Sequence, residues 1–219
     1  MKIADGESIL FIGDSITDCG RLRPLGQGAG LGESYVAFVD SLLAAFYPER
    51  HIRVLNTGIG GNRVTDLDSR WQKDVIDLTP DWLSVMIGIN DVWRQFDNPS
   101  DPCQVTIDLY ETTYRTLLEQ SRPKLKGLVL MTPYYIESNL SDPMRKQMDV
   151  YSAVVERLAF DFDAVFVNVQ AAFDSYLVNR TTQSLCGDRV HPNKTGHMIM
   201  AKSFLTAIGF DWNLALQKK

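Results

Sequence analysis

Short apolar runs alternate along this chain with longer segments in which apolar residues recur every three or four positions. The short runs predict five strands, at residues 9–12, 52–55, 82–87, 127–131 and 165–167. The longer segments predict six helices, at residues 33–46, 64–78, 104–120, 144–162, 170–178 and 194–208. Strands that alternate with helices are typical of a parallel sheet with helices on both faces. We therefore predict an α/β fold.

The segments between these elements are predicted loops, and the longest are residues 19–32, 92–102 and 179–192. No internal repeat, low-complexity tract or linker interrupts the alternation. Single α/β domains of this length are common, so we expect residues 1–219 to form one domain.

The first predicted strand ends in small and polar residues. Gly13 breaks the apolar run, and Asp14 and Ser15 follow where the strand ends. In parallel α/β sheets ligands bind beyond the carboxyl ends of the strands, so a serine hydroxyl there faces a substrate. We interpret Ser15 as a nucleophile. From these residues alone the alternative is an ordinary turn, because Gly-Asp-Ser is a common turn tripeptide.

A nucleophilic serine needs a general base to accept its proton and an acidic residue to orient that base. Of the three histidines, His51 opens the second strand at the far end of the sheet, and His197 lies within the last helix, facing solvent or a neighbour. His191 lies in the loop before that helix, and Asp188 precedes it by three positions. Across a tight turn the carboxylate reaches the imidazole Nδ1–H and leaves Nε2 to face Ser15. The alternative is a capped turn with an exposed histidine.

Acyl transfer also needs hydrogen-bond donors for the oxyanion. Asn90 follows the third strand and carries a neutral amide, which can point at a developing negative charge. Gly61 offers a backbone N–H in the glycine-dense residues 58–62, where a side chain would block close approach. The N–H of Ser15 is a third candidate donor. Ordinary turns at residues 58–62 and at Asn90 are the alternative interpretation.

Composition narrows the class of protein. The formal net charge is −5 and no basic run is present, which argues against a nucleic-acid partner. No apolar run approaches the ~20 residues of a membrane-spanning helix, and the amino terminus does not have the pattern of a signal peptide.

The three cysteines, Cys19, Cys103 and Cys186, lack Cys-x-x-Cys spacing and are typical of free thiols in the cytoplasm. No spacing indicates a metal site and no glycine-rich phosphate-binding motif is present, so we expect no cofactor.

Four segments, in order along the chain, together resemble the four blocks of the SGNH hydrolases, also called the GDSL esterase/lipase family. They are Gly13-Asp14-Ser15, residues 58–62, Gly88-Ile89-Asn90-Asp91 and Asp188-Arg189-Val190-His191. The resemblance runs from about residue 9 to the last helix and so covers nearly the whole chain. It implies a flavodoxin-like three-layer α/β/α sandwich with a five-stranded parallel sheet.

The resemblance also implies roles for single residues. Ser15 matches the family's nucleophile and one of its oxyanion donors, and Gly61 and Asn90 match the other two donors. Asp188 and His191 match the acid and the base. The chain departs from the family pattern at Ile16, where the family name has leucine, and at Gly60, where many members have serine.

Longer strings are similar to the bacterial acetylxylan esterases of this family. The strings are residues 12–20, 86–95, 131–133, 142–145 and 188–192. This likeness implies an esterase that removes acetyl groups from acetylated xylo-oligosaccharides or other sugars. It also implies an intracellular homo-oligomer.

The side chains themselves indicate less about the substrate. Trp93, Tyr134 and Tyr135 fall on predicted loops at the edge of the sheet and could stack on sugar rings, and Arg94 could bind hydroxyls. Together with Asp14 they are our candidate substrate-binding residues. The alternative is that they pack loops or a subunit interface. Two other functions stay open: a lysophospholipase- or thioesterase-like hydrolase of longer acyl esters, and a catalytically silent module that binds sugars or nucleotides.

Overall fold

The computed structural model describes residues 1–214, and a six-stranded sheet forms its centre. In spatial order the strands are β2-β3-β1-β4-β5-β6. Their bounds are β1 Ser8–Gly13, β2 Gly26–Gln27, β3 Arg53–Asn56, β4 Trp82–Met86, β5 Gly127–Met131 and β6 Val165–Val167. Five strands are parallel, and the short β2 pairs antiparallel with β3 at one edge.

Eight α-helices accompany the sheet in the described residues. They are α1 Ser15–Asp18, α2 Tyr35–Phe46, α3 Val64–Trp71, α4 Ile89–Asp97, α5 Ile107–Ser121, α6 Pro143–Asp161, α7 Val169–Leu177 and α8 Lys194–Ala207. A single π-helical segment, Gln72–Ile76, continues α3. None of the helices within residues 1–214 combines the length and apolar character needed to cross a bilayer.

Two helical layers enclose the sheet. Helices α2 and α8 pack against each other in one layer, whereas α3 packs on α5 and α5 on α6 in the other. Every residue of β1 is buried, as its unbroken apolar run predicts for a strand covered on both faces. The predicted α/β fold with its five parallel strands is confirmed.

The structure differs from the sequence prediction most clearly in two of the predicted loops. The predicted loop 19–32 contains β2, a strand of two residues that is too short to show a period. The predicted loop 92–102 is wrong over its first half, because α4 extends through Asp97. The apolar residues of this helix, however, have helical spacing; these residues are Ile89, Val92, Trp93 and Phe96. The polar residues between them and the loop that follows make this spacing hard to see in the sequence.

Candidate active site

Ser15 lies at the carboxyl end of β1 and is the first residue of α1. Asp14 caps this helix, since its carboxylate accepts a hydrogen bond from the N–H of Ile16 at 2.9 Å. Gly13 is required here by close packing. A Cβ on Gly13 would lie 2.3 Å from Met86 O, which is a backbone atom that cannot move aside. The tripeptide thus has a packing role and a capping role, and it leaves the serine hydroxyl at the edge of the sheet.

A chain of hydrogen bonds joins Ser15 to two residues far away in sequence. Ser15 Oγ lies 2.9 Å from His191 Nε2, and His191 Nδ1 lies 2.7 Å from Asp188 Oδ2. The second oxygen of Asp188 accepts the backbone N–H groups of His191 and Val190. Although partial burial opposes it, these bonds together with the imidazole lower the pKa of Asp188. An ionised carboxylate therefore faces the imidazole, which is the arrangement that a serine nucleophile needs.

The loop that carries Asp188 and His191 is held by the segment after β5. Tyr134 donates its hydroxyl to Val190 O at 3.1 Å, and the N–H of Ile136 donates to Arg189 O at 2.9 Å. Arg189 has a left-handed backbone, with φ of 65°, which is uncommon for a residue with a side chain. Its Nη1 lies 3.0 Å from Glu137 Oε2.

On the other side of Ser15, the predicted oxyanion donors come together near residues 57–62, here called the glycine loop. A Cβ on Gly60 would lie 3.7 Å from that of Ser15, so the glycine loop passes beside the nucleophile. Gly61 has φ of 82°. Within residues 1–214, the N–H groups of Ser15 and Gly61 donate to no other group.

Asn90 is buried in the first turn of α4, and its Nδ2 donates one hydrogen to Asn62 O at 3.1 Å. Its second amide hydrogen is available to a ligand.

Two carboxyl groups are buried beneath the site. Asp14 is 1% exposed and Asp91 is fully buried, and burial raises the pKa of each to about 7. Asp91 Oδ1 accepts the N–H of Val64 at 2.9 Å, which ties α4 to the start of α3. Within the described residues, Asp91 Oδ2 is buried without a hydrogen-bond partner.

The candidate substrate-binding residues divide into two groups. Trp93 and Arg94 are partly exposed, and the Trp93 ring centroid lies 6.1 Å from that of His191. The Arg94 guanidinium lies over the Trp93 ring, 5.3 Å from its centroid. Asp14 and Tyr134, by contrast, present no surface to a substrate, because both side chains are buried. Tyr135 is 9% exposed and packs on the Arg189 side chain. We therefore correct the interpretation of Asp14 and Tyr134 from substrate contacts to supports of the site.

The two remaining histidines do not reach Ser15. His51 is exposed at the opposite end of the sheet, where its Nδ1 lies 3.3 Å from Asp5. His197 is buried rather than facing solvent, and its Nδ1 accepts the N–H of Tyr35 at 3.2 Å. Burial lowers the pKa of His197 to about 4. No group of three or more His, Cys, Asp or Glu side chains within residues 1–214 is placed to hold a metal ion.

Sequence reasoning missed one residue that contacts several parts of the site. Arg70 on α3 donates to Gly13 O at the end of β1, and to Thr57 O and Asn62 Oδ1 of the glycine loop. In the sequence, Arg70 and Asp74 have the spacing of an ion pair on a solvated helix face. No local pattern indicates that the arginine points toward the sheet.

Comparisons with known proteins agree with this geometry. A model of the GDSL-like lipase/acylhydrolase family matches residues 11–199. An acetylxylan esterase from Geobacillus stearothermophilus is 54% identical over 215 residues, which cover 97% of this chain and 98% of that protein. The crystal structure of Axe2, an acetylxylan esterase from the same organism, has a TM-score of 0.96 at 53% identity and covers 99% of this chain and 100% of its own.

Other solved structures are similar as well. LAE5, an α/β hydrolase from the metagenome of Lake Arreo, Spain, has a TM-score of 0.94 at 45% identity, covering 96% of this chain and 98% of its own. Solved catalytic mutants of Axe2 replace a serine, an aspartate and a histidine with alanine, one at a time. In Axe2 that aspartate precedes that histidine by three positions.

Proposed function

The chain belongs to the GDSL-like lipase/acylhydrolase family, and from this we propose that it is a serine carboxylesterase that removes acetyl groups from acetylated xylo-oligosaccharides. The observation that carries the proposal is the hydrogen-bond chain from the Ser15 hydroxyl through His191 to Asp188. The same spacing of aspartate and histidine in the catalytic mutants of Axe2 supports these roles.

In the first half of the reaction, Ser15 Oγ attacks the carbonyl carbon of the acetyl ester. His191 Nε2 takes the hydroxyl proton, while Asp188 accepts the hydrogen bond from Nδ1 and stabilises the imidazolium. His191 then gives the proton to the departing sugar oxygen. The products of this half are a free sugar hydroxyl and an acetyl group on Ser15.

The oxyanion that forms on the carbonyl oxygen is stabilised by three donors. We assign them as the N–H groups of Ser15 and Gly61 and the second amide hydrogen of Asn90. In the second half of the reaction, a water molecule gives its proton to His191 and attacks the acetyl carbon. Collapse of the second oxyanion breaks the bond to Ser15 Oγ, which takes the proton from His191, and acetate is released.

We place the sugar beside Trp93 and Arg94. The Trp93 ring lies close to His191, which protonates the sugar oxygen, and aromatic faces pack well against sugar rings. The side chain of Arg94 is partly exposed and can donate to hydroxyl groups. Tyr135 has a smaller exposed surface and contributes at most its edge.

We also propose that residues 1–219 form one domain, which assembles as a homo-oligomer in the cytoplasm. The single sheet takes strands from both halves of the described chain. Phe160 and Val178 are large apolar side chains that lie exposed, and a subunit contact over them removes this apolar surface from water. The three cysteines are unpaired, as thiols are in a reducing compartment. Sedimentation of the purified protein tests the assembly.

The experiment that tests the function measures acetate release from a panel of acetylated xylo-oligosaccharides. The same assay compares p-nitrophenyl acetate with p-nitrophenyl octanoate. We expect acetate release and a preference for the acetyl ester, and we expect Ser15→Ala to lower kcat by about 10⁴-fold or more. A clear preference for octanoate would instead indicate a hydrolase of longer acyl esters. Activity of Ser15→Ala close to that of the wild type would disprove the assigned nucleophile.

A further inference from the structure

A mostly buried arginine connects the parts of the site. Only 12% of the Arg70 side chain is exposed. Its Nε donates to Asn62 Oδ1 at 2.7 Å, its Nη1 to Thr57 O at 2.6 Å, and its Nη2 to Gly13 O at 3.1 Å. One guanidinium thus joins the end of the strand that carries the nucleophile to both ends of the glycine loop.

Asn62 transmits this constraint to the oxyanion donors. Its side-chain oxygen accepts from Arg70, and its main-chain oxygen accepts from Asn90 Nδ2 at 3.1 Å. The side-chain amide of Asn90 has two N–H groups in one plane. The bond from one of them to Asn62 O therefore fixes the direction of the other N–H group. Gly61 directly precedes Asn62, so holding Asn62 also restricts how far the Gly61 backbone can turn.

We propose that Arg70 is a positioning residue for the esterase reaction, holding Asn62 so that the donors of Gly61 and Asn90 face the oxyanion on Ser15. This inference rests on the proposed function. Oxyanion donors are effective only when they are fixed before the reaction begins, since reorientation during the reaction raises the barrier. Arg70 supplies that fixation without touching the substrate.

A simple ion pair does not explain the contacts of Arg70. Its carboxylate partner is Asp74, at 2.7 Å and four positions later on the helix. Three of the four hydrogen bonds of Arg70 go to the end of β1 and the glycine loop instead. Lysine cannot replace these bonds, because one ammonium group lacks the planar fork that reaches three separate acceptors.

The test compares Arg70→Lys with Asp74→Asn, which removes the charged partner but leaves the other three acceptors of Arg70. The readouts are kcat and KM for p-nitrophenyl acetate. The number of active sites is counted by labelling the protein to completion with a serine-directed phosphonate, and kcat is expressed per labelled site. We expect Arg70→Lys to lower kcat per labelled site by roughly 10- to 100-fold with little change in KM. We expect Asp74→Asn to keep the wild-type kcat. A merely structural role would reduce the number of labelled sites and not the kcat of each.

A second comparison tests the route through Asn62. We expect Asn62→Ala to lower kcat, and Arg70→Lys to cause a much smaller further loss in that background than it does alone. If the two losses multiply, or if Arg70→Lys keeps the wild-type kcat per labelled site, the proposal is wrong. Wild-type hydrolysis of the acetyl ester and its loss in Ser15→Ala are measured alongside. These two controls report on the proposed function independently of Arg70.

Discussion

The two sides of Ser15 are built in different ways. On the oxyanion side, Asn90 is 3% exposed, and the glycine loop is held by side chains from several elements. On the proton side, the side chains of His191 and Asp188 are 47% and 44% exposed. Their positions depend on a local turn, in which Asp188 accepts two backbone N–H groups of its own loop, and on hydrogen bonds from the segment after β5.

This difference suits the chemistry that we propose. Hydrogen-bond donors stabilise an oxyanion best when they are fixed before the reaction begins. The oxyanion side provides this, since Asn90 is buried and side chains hold the glycine loop, although Gly61 itself is exposed. The base must exchange protons with a sugar oxygen and then with water, and both must be able to reach it. The exposed imidazole of His191 allows this without movement of the fold. If the two sides act as separately as they are built, a change on one side should leave the other unaffected.

The largest effect in this comparison is expected from Asn90→Ala. The change removes one oxyanion donor, so kcat should fall by roughly 10²–10³-fold, whereas KM should change little because the bond forms in the transition state. Asn90 makes no contact with His191 or Asp188, so the dependence of the residual rate on pH should match that of the wild type. Steady-state kinetics from pH 5 to pH 9 provide both measurements. A shifted pH profile would show that the two sides are coupled.

A smaller effect, on stability, is expected from Asp91→Asn. An unfolded aspartate titrates near ~3.9, whereas burial raises the pKa of Asp91 to about 7 in the folded protein. Between these pH values the folded state binds more protons than the unfolded state, so this group makes the wild type less stable as pH rises through the window. Asparagine keeps an acceptor for Val64 N and carries no charge. The free energy of unfolding of Asp91→Asn minus that of the wild type should therefore increase by on the order of 2 kcal/mol from pH 5 to pH 8.

Urea denaturation at both pH values measures this difference. Asp5→Asn is the matched control at an exposed position, where hydrogen bonds from the backbone and side chain of His51 lower the pKa of Asp5. That variant should show no improvement at high pH. A difference between Asp91→Asn and the wild type that does not change with pH would contradict a raised pKa.

The residues that sequence analysis identified share one physical basis. Parallel strands place their carboxyl ends at the same edge of the sheet, so polar residues that follow an apolar run meet there. Ser15 after β1 and Asn90 after β4 follow this rule. Asp188 and His191 were found because a turn of three residues lets a carboxylate reach an imidazole. These inferences need only strand direction and local geometry.

The supporting residues could not be found in this way. Arg70 reaches three acceptors in two different segments, and only the packing of α3 against the sheet determines those contacts. Tyr134 follows β5, where a surface position or a packed loop is predicted, and the structure buries it with its hydroxyl donating to Val190 O. An aromatic residue with a polar end fits either environment, and the sequence does not distinguish them.

The smallest effect is expected on the proton side, from Arg189→Gly compared with Arg189→Ala. Both changes remove the contacts of the side chain with Glu137 and Tyr135, so they differ mainly in the backbone. Alanine keeps the strain of the left-handed conformation, about 1 kcal/mol, and glycine does not.

Glycine is also more flexible in the unfolded chain, which offsets roughly half of that gain. We therefore expect Arg189→Gly to be the more stable of the two by about 0.5 kcal/mol in urea denaturation. The hydrogen bond from Ile136 N to the carbonyl of residue 189 does not involve the side chain, so both variants should keep the turn that aligns Asp188 with His191. If Arg189→Ala were the more stable, the left-handed backbone would not be strained.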